Sequence, residues 1–328
     1  MRLLVTGGFG FIGSNFILRI LEKHPDFKIT NIDACLQGSN PRNLPKLTNK
    51  NYSYVRGNIT NKKIVEKLIS KSDVVINFAA ESHVDRSILD PKPFIDSNII
   101  GAYTILEAIK KYGKKLIQIS TDEVFGSIES GSASEEFLFN PSSPYAASKA
   151  SAEILAKSYV TTYNCDIIVT RCTNNYGPRQ SPEKLIPKII LLAEKNQKIP
   201  VYGTGKNIRD WIFVLDHCDA ILKVLFKGKK GESYNIAGKN EVNNITIIKK
   251  ILQIMGKPNE LMNFTRDRPG HDFRYSMNAE KIHKKLHWKP THSFEKGLED
   301  TISWYLENKE LYKNILSKEM RKVSWKTR

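Results

Sequence analysis

Cysteine is scarce and unpatterned in this chain: Cys35, Cys165, Cys172 and Cys218 form no C-x-x-C pair in 328 residues. That excludes a disulfide framework and a thiolate metal knuckle as organising devices, and reduced thiols with no metal are expected. No apolar run approaches the roughly 20 residues a membrane-spanning helix needs, so no membrane partner is expected. Internal repeats and low-complexity stretches are also missing, which excludes solenoids and long disordered linkers. Acidic residues are few, 34 against 51 Lys and Arg, for a formal net charge of +17. The lysines are nevertheless dispersed in doublets such as Lys62-Lys63, Lys110-Lys111 and Lys249-Lys250, with no basic segment interleaved with aromatics. The excess is therefore read as a solvated surface that attracts anionic substrates, with no nucleic-acid partner expected. Arg2 ahead of an apolar stretch has the outline of a secretory leader. Gly7, Gly8, Gly10 and Gly13 interrupt that stretch and no small-residue cleavage site follows, so a cytoplasmic location is expected.

What the chain does contain is an ordered alternation of short apolar runs and helical periods. Strands are expected at Leu3 to Thr6, Lys28 to Asp33, Tyr52 to Arg56, Asp73 to Phe78, Lys115 to Ser120 and Asp166 to Thr170, with helices between them, including Pro93 to Tyr112 and Pro144 to Tyr163. This is the signature of parallel βαβ units: an α/β, doubly wound parallel sheet of Rossmann type. Beyond residue 171, Pro178, Pro182, Pro187, Pro200, Gly203 and Gly205 break the chain into shorter pieces. The expected division is a dinucleotide-binding domain over residues 1–172, joined by later segments near 210–240, and a smaller, mainly substrate-binding domain over 173–328.

Gly7, Gly10 and Gly13 follow the first strand and open a helix whose apolar residues include Phe16, Ile17, Ile20 and Leu21. Glycine there lets the chain turn tightly and lets a pyrophosphate approach the backbone at a helix N-terminus. Asp33 ends the next strand, where a carboxylate accepts ribose hydroxyls and repels a 2′-phosphate, so the cofactor is read as NAD. Further on, Thr121-Asp122-Glu123 closes an apolar strand, at the edge where doubly wound sheets bind ligands. Tyr145 and Lys149 are four residues apart on a helix and share a face. A lysine ammonium there is expected to lower the phenol pKa, so that Tyr145 can take a proton from an alcohol. A plain dehydrogenase has no need of the additional carboxyl pair.

These residues, with Ala79 to Ile88 and Asn174-Asn175-Tyr176-Gly177-Pro178, resemble the extended short-chain dehydrogenase/reductase family. Thr121-Asp122-Glu123, Pro182 to Pro187, Arg209-Asp210-Trp211 and Asp267 to Asp272 resemble its nucleoside-diphosphoglucose 4,6-dehydratase branch. The resemblance implies a lyase that takes dTDP-glucose to dTDP-4-keto-6-deoxyglucose, by oxidation at C4, elimination of water across C5 and C6, and hydride return to C6. It assigns catalysis to Thr121, Asp122, Glu123, Tyr145 and Lys149. NAD would be lined by Gly7, Gly10, Phe11, Ile12, Gly13, Asp33, Asn58, Ile59, Phe78, Ala79, Ala80, Ser82, Ser97, Tyr145, Lys149 and Asn175. The sugar nucleotide would be held by Ser82, Thr121, Asn174, Lys184, Leu185, Pro200, Val201, Tyr202, Arg209, Asn244, Arg268 and His271, its diphosphate facing the cationic side chains. A homodimer built on helices such as Pro93 to Tyr112 and Pro144 to Tyr163 is also implied.

The chain departs from the family in places. Cys35 to Ser39 replaces the usual loop after Asp33, Asn58 stands where Asp is usual and offers its amide oxygen to the adenine amino group, and Arg179 and Ser181 replace aromatics. Arg209 and Arg268 could alternatively pair with their neighbours Asp210 and Asp267. The competing functions are a sugar-nucleotide 4-epimerase or a UDP-glucuronate decarboxylase, which need Tyr145 and Lys149 but not the carboxyl pair, and a non-catalytic NAD- or polyanion-binding protein.

Overall fold

The computed structural model describes residues 1–44 and 50–312; positions 313–328, which the expected second domain includes, lie outside the described residues. The strands in chain order are β1 (Arg2–Thr6), β2 (Lys28–Asp33), β3 (Tyr52–Arg56), β4 (Val74–Asn77), β5 (Lys115–Thr121), β6 (Ile167–Cys172), β7 (Asn174–Tyr176), β8 (Ile199–Tyr202), β9 (Ile208–Phe213), β10 (Ser233–Ile236), β11 (Glu241–Asn243) and β12 (Met262–Thr265). Seven of them form one parallel sheet in the order β10-β6-β5-β4-β1-β2-β3. The order reverses between β1 and β4, which opens a crevice at their carboxyl ends.

Period-two alternation explains why the sheet is covered on both faces. Leu3 and Val5 of β1 pack with Phe16, Ile17 and Ile20 of helix Phe11–Lys23. Leu4, between them, packs with Ile32, Val65, Ile105 and Leu116 on the other side. Near the carboxyl ends a buried polar chain ties three strands together: Thr6 Oγ1 donates to Asn77 Oδ1 at 2.6 Å, and Asn77 Nδ2 donates to Gln118 Oε1 at 2.9 Å. The remaining strands form a three-stranded sheet, β11-β9-β7, and a β12-β8 pair over a separate apolar core that includes Ile186, Ile190, Trp211, Ile247, Ile251 and Leu298.

The sequence predicts one regular helix over Pro93 to Tyr112, and the structure differs. Lys92–Phe94 leads into a π-helical stretch, Ile95–Ile100, before regular helix resumes at Gly101–Tyr112. Asn98 is drawn inward at the widened turn: its Nδ2 donates to Glu81 O at 3.0 Å and Ser148 Oγ at 2.8 Å, while its Oδ1 accepts from Glu81 N at 2.9 Å. Local hydrogen bonding of this kind is invisible to hydrophobic periodicity, and π turns recur next to functional sites.

Candidate active site

Two cavities meet at the carboxyl ends of β1, β4 and β5. The first, of about 300 Å³, runs along the glycine turn and has every residue expected to line the cofactor on its wall. The second, of about 210 Å³, lies between the large sheet and the smaller core, and is walled by Leu185, Pro200, Val201, Tyr202, Arg209, Asn244, Arg268 and His271. Glu123, Asn174, Glu183 and Lys184 line both; Ser82 and Thr121 belong to the first.

Space dictates the glycines. Gly7 has φ +69°, and a Cβ there would lie 2.8 Å from the Ala79 Cα; a Cβ on Gly13 would lie 2.4 Å from the Gly7 carbonyl oxygen. Only glycine lets the turn close onto the strand end and bring the start of helix Phe11–Lys23 to the cavity. Asp33 is pinned at the end of β2. Its Oδ2 accepts from Phe9 N at 2.9 Å, and its Oδ1 from Cys35 N and Ser39 Oγ, both at 2.8 Å. The altered loop Cys35 to Ser39 thus orients the carboxylate. An open glycine cradle beside a fixed carboxylate can hold the pyrophosphate and ribose of a dinucleotide. At Asn58 the structure corrects the expectation, because its Oδ1 already accepts from both Thr60 N and Thr60 Oγ1 at 3.0 Å. Both lone pairs are engaged, which leaves the amide NH₂ as the group that can meet a ligand.

Ser143 caps helix Pro144–Tyr163, accepting from Ala146 N, and so sets Tyr145 and Lys149 on successive turns facing the first cavity. The expected lowering of the Tyr145 pKa by Lys149 does not hold. Lys149 Nζ donates to Ile119 O at 2.6 Å, and burial lowers its own pKa to about 8. Burial, and then the charge of Glu123, push Tyr145 well above 10, opposed by a hydrogen bond with Thr121. Enclosure penalises the charged form of each group and is the largest influence on both.

The two carboxyls occupy different surroundings. Asp122 is buried; Thr121 Oγ1 donates to its Oδ1 at 3.1 Å and its Oδ2 has no hydrogen-bond partner. Burial first, then Glu123, raise its pKa well above the ordinary value, which favours the protonated form. Glu123 is also raised by burial, but Arg268, Arg209 and Lys184 face it and favour its ionised form. Surroundings that differ in this way push the proton affinities of adjacent carboxyls apart.

Neither arginine pairs with its sequence neighbour. Arg268 Nη1 bonds Asp85 Oδ1 at 3.1 Å. Arg209 donates to the carbonyls of Ile208, Asp272 and Phe273, and its guanidinium lies 4.1 Å from the Tyr275 ring centroid. His271 is neutral near physiological pH, its pKa lowered to about 4 by burial and then by Arg268, so it is not one of the cations. Lys184 Nζ donates to Ser82 O at 2.5 Å, and Asn175 Oδ1 lies 2.8 Å from the Nδ1 of buried His217. Sequence reasoning did not single out Asp85, Glu183 or Tyr275. The first two stand inside segments that carried the resemblance. Tyr275, which donates to Asp272 Oδ2 at 2.6 Å and reaches Glu123 Oε2 at 3.4 Å, lies beyond the last motif and had no signal.

Comparison with known proteins agrees with this geometry. Residues 4–301 match the family described as GDP-mannose 4,6 dehydratase. A dTDP-glucose 4,6-dehydratase of Xanthomonas campestris pv. campestris (strain B100) is 41% identical, covering 95% of both chains. The crystal structure of dTDP-glucose 4,6-dehydratase from Bacillus anthracis str. Ames in complex with NAD has a TM-score of 0.90 and 46% identity, over 96% of this chain and 99% of that one. The UDP-glucuronic acid 4-epimerase of Bacillus cereus has a TM-score of 0.88 but 31% identity, over 94% and 99%. On the family match and these identities, the chain belongs to the GDP-mannose 4,6 dehydratase family and is similar within it to the dTDP-glucose 4,6-dehydratases.

Proposed function

We propose that this chain is an NAD-dependent lyase converting dTDP-glucose to dTDP-4-keto-6-deoxyglucose. The observation that carries the reading is the buried carboxyl pair at the junction of the two cavities, Asp122 with an unpartnered Oδ2 beside Glu123, which Arg268, Arg209 and Lys184 face. Bound NAD supplies a hydride acceptor that is regenerated within the turnover. The glycine turn and Asp33 would hold its pyrophosphate and adenosine ribose. Tyr145, hydrogen-bonded to Thr121, takes the proton of the hexose 4-hydroxyl after it has itself ionised, a step that burial opposes; the Lys149 ammonium offsets the charge of that phenolate until the arriving proton discharges it. Glu123 removes the C5 proton that the neighbouring ketone has acidified, and Asp122 donates to the departing 6-hydroxyl. Arg209, Arg268 and Lys184 face the diphosphate and lower the cost of holding it.

Deuterium at hexose C4 is expected at C6 of the product without dilution, with solvent exchange at C5; label remaining at C4 with the 6-hydroxyl intact would mark an epimerase and refute this reading. The enzyme is read as a homodimer, because Ile95, Ile100, Tyr103 and Ile154 expose apolar surface on the helices expected to pair. No helix among the described residues is long and apolar enough to cross a membrane, and the proposed location is the cytoplasm.

A further inference from the structure

Outside the cleft, Lys239, His283, His287 and Lys289 surround a surface groove of about 540 Å³, completed by Trp288 and Pro290. No acidic side chain lines it. Neighbouring lysines of helix Glu280–Leu286 are already neutralised, Lys281 by Glu232 and Lys284 by Glu280 at 2.7 Å. The four groove residues form no ion pair among the described residues. His283 shows the consequence most directly. Its Nε2 is buried without a hydrogen-bond partner, and its pKa is lowered by burial and then by Lys239, with Glu280 opposing and Lys289 adding to the decrease. Two ammoniums with no acidic partner among the described residues, converging beside an imidazole, are unfavourable in the protein by itself, and an anion in the groove relieves that condition.

The groove is also held in shape. Trp288 is 4% exposed and packs against His283 with ring centroids 6.0 Å apart. His287 closes the helix in the left-handed region at φ 53°, and Lys239 takes φ 59° in the turn after β10. That turn is anchored through the Lys239 backbone N–H to the carboxylate of Asp210, the neighbour of Arg209 in the cleft. Converging charges of one sign focus the local field and concentrate counter-ions. A single carboxylate satisfies one ammonium, whereas a phosphate group offers oxygens to two ammoniums and a protonated imidazole together. We propose that this groove is a second binding site, separate from the catalytic cleft, for a small phosphorylated anion gripped by Lys239, Lys289 and His283.

Inorganic pyrophosphate is the probe, and the full chain carrying ¹³C-labelled histidine is the reporter, with His283 and His287 assigned by single His→Gln variants. At constant ionic strength their ring resonances are expected to shift saturably with pyrophosphate. The double variant Lys239→Gln/Lys289→Gln is expected to weaken that response at least tenfold while leaving sugar-nucleotide turnover unchanged. No groove residue lines either cleft cavity, so pyrophosphate bound in the cleft would not give this pattern. A response that fails to saturate, that chloride reproduces, or that survives in the double variant overturns the proposal. So does a response to heparin with none to pyrophosphate, which would assign the groove to a polyanionic macromolecule.

Discussion

Replacing Asp122 with Asn should separate elimination from the oxidation that precedes it. The buried carboxyl has an unpartnered Oδ2 and a pKa held well above the usual carboxylate range, by burial and then by Glu123. Asn matches the protonated acid in shape and charge and retains an oxygen for the Thr121 hydroxyl, which lies 3.1 Å from Oδ1. Folding should persist while the transferable proton is lost. General-acid catalysis contributes about 10²–10⁴-fold, so turnover should fall by that factor, or about 3–5 kcal/mol of barrier. Oxidation remains, so reduced nicotinamide should accumulate on Asp122→Asn after mixing with substrate and be seen by its absorbance, whereas Tyr145→Phe should form none. Stability should move in the opposite direction. A carboxyl with a raised folded pKa contributes its full stability below the unfolded value of 3.8 and loses it as pH rises through the folded pKa. Above neutrality wild type therefore carries a penalty that Asn removes. Thermal melts should show the variant at least as stable there, with the difference closing as pH falls toward 3.8. Loss of turnover without accumulation of reduced cofactor, or a variant less stable than wild type above neutrality, would refute a protonated Asp122.

Lys149→Met should melt higher than wild type near neutrality and lose oxidation by about 10²-fold or more. The cost of burying the ammonium is present below about 8 and is relieved as pH rises toward 10.5, so the two melting curves should converge over that window. Arg171→Met should destabilise the chain by about 3 kcal/mol in denaturant titrations, because it leaves the fully buried Glu153 carboxylate with only the half-exposed Lys157 ammonium, 3.4 Å away. Adding Glu153→Leu to that variant should recover part of the loss. Gly13→Ala, whose Cβ would press on the Gly7 carbonyl, should lower stability by about 1–3 kcal/mol and weaken NAD binding as measured by calorimetry.

The periodic part of the fold was legible in the sequence. Period-two and helical patterns located the strands that form β1 to β6 to within a residue or two, and helix Pro144–Tyr163 to the residue, because burial on both faces of a parallel sheet leaves little freedom in residue type. Glycine spacing and the Tyr145, Lys149 and Thr121-Asp122-Glu123 patterns likewise pointed to the cleft, since backbone approach and proton chemistry each demand particular residues. Tertiary structure alone decided what depends on partners distant in the chain. The π turn at Ile95–Ile100 follows from Asn98 reaching Glu81 and Ser148. Arg268 pairs with Asp85, 183 residues away, and not with adjacent Asp267. Tyr275 arrives beside Glu123 from a loop without a motif. The surroundings that separate Asp122 from Glu123 were beyond the sequence for the same reason: as neighbours they read alike, and only the packed structure sets Arg209 alone against Asp122 while Arg268, Arg209 and Lys184 all face Glu123.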